Sequence, residues 1–215
     1  MNILFLDTSS KISETAFYEN EKMIFHLILK ESDGADQVVY NLRQSFKKFK
    51  LDPNNIECLS LSNGPGSFTG LRIGSAVAKG ICFVSGCKFI EIPTLDILAN
   101  IIPSGNSITS LIPSNPKTSE FYFAKYEKSG NDLKRTSDFD FGNLHEILKT
   151  DSQFVIKKET FQYIPEPIQS KFFEYPDDAV MRSQYEITLK KISDNEFSDV
   201  ENSTPIYIRQ FIPKN

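Results

Sequence analysis

Gly64-Pro65-Gly66-Ser67-Phe68-Thr69-Gly70-Leu71-Arg72-Ile73-Gly74 is the stretch whose reading decides the fold of this chain. It follows an apolar run at 56–61 that reads as a buried strand, and it opens a helical pattern over 68–84. Glycines at 64, 66 and 70 let the backbone take positive φ and approach a neighbour closely. Ser67 and Thr69 suit a helix N-terminus, where their oxygens accept from free N–H groups, and such an N-terminus attracts anions. Two readings stay open on this physics: a phosphate-cradling loop, or a capped strand-to-helix turn.

Nucleotide motifs test the first reading. A Walker A loop needs Gly-Lys-Ser/Thr at its end, and here Gly70 is followed by Leu71-Arg72. The spacing G-x-G-x-x-x-G is close to a dinucleotide fingerprint, with Glu91 about the right distance further on. That motif belongs after a first strand, however, and this one follows a fourth, while Glu91 sits between Ile90 and Ile92 inside its strand. The helix itself repeats small residues at Gly70, Gly74 and Ala78, with Ser75, Ala76 and Gly80 beside them. A glycine inside a helix costs about 1 kcal/mol relative to alanine. Close approach of another element, within the chain or from a partner, is expected to offset it. Ile73, Val77 and Ile81 form an adjoining apolar stripe.

Working outward towards the N-terminus, residues 3–6 form an apolar strand ending in the turn Asp7-Thr8-Ser9-Ser10. Hydroxyls and turn amides there can hold phosphate, and Asp7 can hold magnesium through water, although such a turn is more often only a turn. Strands are predicted at 14–19 and 23–29, joined by Asn20-Glu21 as a hairpin. Residues 36–49 read as a helix with the stripe Val39, Leu42, Phe46, Phe49, and with Lys47, Lys48 and Lys50 at its end. Towards the C-terminus come a strand at 88–92 and a helix from Pro93-Thr94 through Leu98, giving the order βββαβαβα. Pro103-Ser104-Gly105-Asn106 marks a boundary, so the expected domains are 1–102 and a C-terminal lobe, 103–215, whose tail returns to the first. Beyond it strands are predicted at 108–112, 121–126 and 154–156, with helices at 144–148 and 177–192. Residues 163–176 carry no legible pattern.

Composition narrows the function. The 215 residues are 40% hydrophobic, and the formal net charge of -4 argues against a dedicated nucleic-acid binder. Work on RNA would then run through a partner. Cys58, Cys82 and Cys87 include no C-x-x-C pair; Cys58 and Cys82 read as small buried hydrophobes in a reducing compartment, against a disulfide framework or zinc site. His26 and His145 make no H-x-x-x-H or H-E-x-x-H pair, and there is no G-x-S-x-G elbow. His26 reads as half-buried in a strand and His145 as a surface helix residue. No metal ligands, nucleophile or catalytic constellation emerge. No secretory pattern opens the chain and no apolar run reaches membrane length, so a cytoplasmic protein is expected.

The eleven-residue run resembles the signature of the TsaB (YeaZ) family, paralogues of the TsaD/Kae-type proteins. The opening Ile3-Leu4-Phe5-Leu6-Asp7-Thr8-Ser9, the step Ile92-Pro93-Thr94-Leu95 and the closing Pro205-Ile206-Tyr207-Ile208-Arg209 resemble further family stretches in the same order. The resemblance implies an α/β actin-like ASKHA fold (ribonuclease H-like) of two lobes. It implies a non-catalytic subunit that pairs with TsaD, which binds the metal and moves threonylcarbamoyl onto the adenosine beside the anticodon of tRNAs reading ANN codons; TsaE, an ATPase, joins the pair. ATP and metal would then belong to the partners, tRNA would be met through the complex, no membrane would be involved, and the chain alone could form a homodimer. The implied pairing surface is the first two helices, 36–49 and 68–84, through Val39, Leu42 and Phe46 and through Gly70, Ile73, Gly74 and Val77. The chain departs from the family at Pro113-Ser114-Asn115-Pro116-Lys117, where many relatives carry Asp-Ala-Arg. The rival reading is an ATP-binding ASKHA enzyme, a weak ATPase or small-molecule kinase, with Asp7, Thr8 and Ser9 on the phosphates. A peptidase, as older family names suggest, lacks its metal ligands.

Overall fold

The N-terminal alternation of side chains builds the first sheet. Strands β1 (Asn2–Asp7), β2 (Ile12–Glu19) and β3 (Lys22–Lys30) form the expected antiparallel meander. Asn20 and Glu21 sit at φ 47° and 68° between β2 and β3, the left-handed pair a two-residue hairpin requires. The structure, a computed structural model, describes residues 1–30, 37–115 and 119–208. Asp36, Pro116, Lys117 and Arg209, which figure in the sequence reading, lie outside them.

Helices α1 (Gln37–Phe49), α2 (Phe68–Ser85) and α3 (Thr94–Ile101) alternate with β4 (Cys58–Ser62) and β5 (Lys88–Ile92). Both strands run parallel to β1, and the sheet order is β3-β2-β1-β4-β5. The βββαβαβα order read from the sequence is thus the order of the first lobe. One stripe differs. In α1 the buried residues are Val38, Leu42, Ser45 and Phe46, so the inward face is one position out of phase with the expected Val39 and Phe49, both exposed.

The second sheet comprises β6 (Gly105–Asn115), β7 (Glu120–Ser129), β8 (Asp132–Arg135), β9 (Asp140–Asn143) and β10 (Gln153–Ile156). Its order is β10-β6-β7-β8, with β9 pairing β7. The four-residue strands β8 and β9 are mostly polar and escape a periodicity argument. Short helices α4 (Leu144–Ile147) and α5 (Glu166–Gln169) precede α6 (Ala179–Ser193). The unread segment 163–176 contains α5 and an isolated bridge from Phe172 to Phe154 of β10.

Alternation along β1 sends its two faces to different cores. Ile3 and Phe5 join a central cluster with Leu95 and Leu98 of α3, Tyr126 and Val155 of the second sheet, and Val180 and Met181 of α6. Leu4 and Leu6 face the other way, into a cluster with Leu42, Phe46, Ala78 and Cys82 beneath α1 and α2. Helix α6, late in the chain, packs on the first sheet: Gln184 Nε2 donates to the Ser60 carbonyl at 3.2 Å, and Thr188 Oγ1 lies 2.8 Å from Ser60 Oγ. The segment after α6 crosses the same sheet, with the Ser198 N–H donating to the Phe89 carbonyl and the Ile206 N–H to the Asn63 carbonyl.

Candidate functional site

The signature loop is packed against the turn that ends β1. Of its glycines only Gly64, at φ +105°, uses the left-handed region, and the Gly64-Pro65 peptide is cis. Gly66 and Gly70 answer to close approach instead: a Cβ would lie 2.1 Å from the Ser9 carbonyl oxygen and 2.0 Å from that of Thr8. A Cβ on Gly74 would lie 2.2 Å from Thr8 Oγ1. Hydrogen bonds close the same junction, from the Ser67 N–H to the Ser9 carbonyl (2.7 Å) and from Thr8 Oγ1 to the Gly70 carbonyl (2.7 Å). Ser67 caps α2 by accepting from the Gly70 N–H at 3.3 Å. The small-residue repeat therefore admits the chain's own β1 turn. Gly70 and Gly74, expected on a partner surface, face Thr8 because only a missing side chain lets backbone and hydroxyl come so near.

Asp7, Thr8 and Ser9 are buried together. Asp7 Oδ1 accepts from the Ser9 N–H (2.9 Å) and Ser9 Oγ (2.6 Å), and its Oδ2 accepts from Lys157 Nζ at 2.6 Å. Lys157 Nζ also donates to Ser9 Oγ at 3.0 Å. Lys157 directly follows β10, so this ion pair joins the two lobes, with Asp7 0% and Lys157 4% exposed. Burial pushes the Asp7 carboxyl up, but the charge and hydrogen bond of Lys157 and the two bonds from Ser9 outweigh it and hold it below the ordinary range. Burial likewise works against the Lys157 ammonium, and Asp7 outweighs it.

Those bonds decide whether the turn fits the nucleotide phosphates and magnesium that an ASKHA fold implies. It does not fit. Both carboxylate oxygens are engaged within the chain, an ammonium holds the place a cation would take, and the Ser9 carbonyl is capped by the loop's own N–H. The expected role of Asp7, Thr8 and Ser9 as phosphate ligands gives way to a sealed seam. Lys157 was invisible in the sequence, since nothing local ties it to an aspartate 150 residues away.

The other face of the first lobe is open. Helices α1 and α2 flank an apolar groove of about 570 Å³, lined by Val39, Leu42, Phe46, Val77, Ile81 and Val84 among others, with Arg43 and Lys47 beside them. Leu42 and Phe46 are buried residues of its floor. Val39 is 55% exposed, and on the last turn of α2 Val84 is 75% and Phe83 90% exposed. Gly80 also lines the groove, and a Cβ there would meet nothing within 4 Å. Of the residues expected at a partner surface, the groove thus gathers Val39, Leu42, Phe46 and Val77; Ile73 is half-buried and is not among its lining residues. Sequence reading missed Phe83 and Val84 and named Gly80 only among the small residues of α2, although α2 is apolar around its whole circumference at 81–84, which is itself a signal. At the other end of α2, Arg72 lies over the Phe68 ring at 3.8 Å, and Phe68 packs on Tyr207 of the returning segment.

Residues 35–195 match the family model of TsaD, tRNA N6-adenosine threonylcarbamoyltransferase. The chain belongs to that family. Within it the resemblance is to TsaB (YeaZ) proteins. TsaB of Escherichia coli is 25% identical over 134 residues, 62% of this chain and 58% of that protein. TsaB of Haemophilus influenzae is 25% identical over 151 residues, 69% of this chain and 62% of that protein. The chain thus spans about three fifths of the length of these relatives. A crystal structure from Pseudomonas aeruginosa, of an uncharacterized protein with similarity to peptidase YEAZ, has a TM-score of 0.73 at 15% identity, covering 97% of this chain and 99% of that one. That structure shares the α/β fold of two mixed sheets described above. Among the described residues no group of three His, Cys, Asp or Glu side chains could hold a metal ion, and no helix is long and apolar enough to cross a membrane.

Proposed function

We propose that this chain is a non-catalytic subunit that supports TsaD in transferring threonylcarbamoyl to N6 of the adenosine next to the anticodon in tRNAs reading ANN codons. The observation that carries the reading is the open apolar groove between α1 and α2, with Val39 and Val84 exposed along it and Phe83 exposed on the same last turn of α2. Contiguous apolar surface of this kind is uncommon on a protein without a partner, and two helices side by side can pack against a matching pair from a paralogue. TsaD is that partner, TsaE joins the pair, and tRNA is met through the assembly in the cytoplasm. In isolation the same face pairs two copies of the chain.

The subunit needs no nucleotide or metal of its own; ATP and metal are held by the partner subunits. The Asp7–Lys157 pair supports this over the ATP-binding alternative, because the carboxylate such an enzyme needs is already neutralised inside the chain.

Co-expression of the chain with TsaD from the same organism, followed by size exclusion, tests the reading. A stable complex is expected, lost in Val84→Asp and Val39→Asp variants that keep the fold by circular dichroism. Absence of co-elution, or a complex indifferent to both substitutions, overturns it. Gly74→Leu is not a test of docking, since its side chain would strike Thr8 inside the chain.

A further inference from the structure

The end of α2 and the start of β5 bring two thiols into contact. Cys82 is buried on the inner side of α2, Cys87 is half-buried just before β5, and their sulfurs lie 3.4 Å apart. The turn between them is built to hold this approach. Gly86 caps α2 at φ +67°, its N–H donating to the Cys82 carbonyl at 2.9 Å, and the Cys87 N–H donates to Ser85 Oγ at 3.3 Å. A disulfide needs its sulfurs at about 2.05 Å, so closure asks for a shift of little more than an ångström, within reach of side-chain rotation beside a turn. The third cysteine stands apart: Cys58 is fully buried in β4, and burial pushes its thiol up to about 12.

We propose that Cys82 and Cys87 form a thiol–disulfide exchange site that reacts with low-molecular-weight disulfides, such as oxidised glutathione, and closes into an intrachain bond. Cys87, the more exposed of the two residues, attacks first. Its hydrogen bond with Cys82 outweighs burial and holds its thiol at about 7, so a large share is thiolate, the attacking species, at neutral pH. The thiolate displaces one half of the small disulfide as a thiolate and forms a mixed disulfide on Cys87. Cys82 then gives up its proton to the departing thiolate and attacks the Cys87 sulfur, releasing the second half, which takes a proton from water. Two protein thiols are oxidised by two electrons, and one small disulfide is reduced to two thiols. The bond ties the last turn of α2, which carries the exposed Phe83 and Val84, to the edge of β5. The proposal stands on the sulfur geometry and does not depend on the partner reading.

Full-length protein equilibrated in mixtures of reduced and oxidised glutathione tests it, with free thiols counted by maleimide labelling after acid quenching and unfolding in denaturant, and linked peptides found by mass spectrometry. Under oxidation the expected result is one labelled cysteine, Cys58, with Cys82 and Cys87 in one linked peptide, reversed by dithiothreitol. Cys82→Ser should trap a glutathione adduct on Cys87, and Cys87→Ser should leave Cys82 unmodified in the native protein. Three free thiols persisting in excess oxidised glutathione, a linked pair that includes Cys58, or equal adduct formation in the two variants overturns the proposal. The wild-type count stands even if a variant folds poorly.

Discussion

A methyl group added at Gly70 lands 2.0 Å from a backbone carbonyl oxygen, whereas one added at Gly80, ten residues along the same helix, meets nothing within 4 Å. The two glycines should therefore respond oppositely to alanine. Gly70→Ala must push the β1 turn away from α2, and overpacking of that kind costs about 1–3 kcal/mol. Gly80→Ala recovers helix propensity and should add up to about 1 kcal/mol. Urea titrations of both variants against wild type measure the difference; equal effects would contradict the packing described. The signature run was legible as a deliberate strand-to-helix junction, and its serine cap was legible too. Which neighbour the glycines admit was not, because spacing along one helix carries no information about the turn eight residues into the chain that packs on it.

At the scale of elements, adjacent valines in α1 separate folding from docking. Val38 is buried and Val39 exposed. Val38→Asp places an unpaired charge in the core and should abolish cooperative unfolding or cost several kcal/mol, about 3 or more. Val39→Asp should leave stability within about 0.5 kcal/mol while removing partner binding. Thermal melts alongside co-elution with TsaD read both outcomes. If Val39→Asp melts like Val38→Asp, the phase assigned to α1 is wrong. Periodicity located this helix but not its phase, since Val38 and Val39 fit a stripe through Leu42 and Phe46 equally well and only the sheet beneath selects one. The first lobe was readable because its apolar strands and helices follow one another with clear polar or glycine-rich turns between them. The short strands β8 and β9, with charged and polar residues through much of their length, owe their pairing to β7 and are silent by themselves.

At the scale of the whole molecule the buried Asp7–Lys157 ion pair crosses the seam alongside the shared apolar core, and that pair has a pH signature. Asp7 is depressed in the folded chain, so its contribution is present above the unfolded carboxylate value of about 3.9 and is lost as pH falls through the folded value. Lys157 is raised, so its contribution is present below the unfolded value of about 10.4 and is lost as pH rises through the folded one. Lys157→Met, which strands the carboxylate, should cost about 3–5 kcal/mol at neutral pH, whereas Asp7→Asn with Lys157→Met should cost much less. Guanidinium unfolding of wild type and the double variant between neutral and acid pH checks the linkage. The double variant should lose less stability on acidification, and parallel curves would show that the pair does not govern the acid limb.

Helix α6 completes the cover of a sheet whose five strands all precede it in the sequence. During synthesis the ribosome therefore releases β1 to β5 long before the side chains of Val180, Met181 and Gln184 that bury them have emerged. The N-terminal lobe therefore does not complete its core as a vectorial unit: α3 covers part of the inner face early, and the rest waits for α6. A nascent chain stalled before Ala179 should be sensitive to protease and held by chaperones, while one stalled with α6 free of the exit tunnel should not.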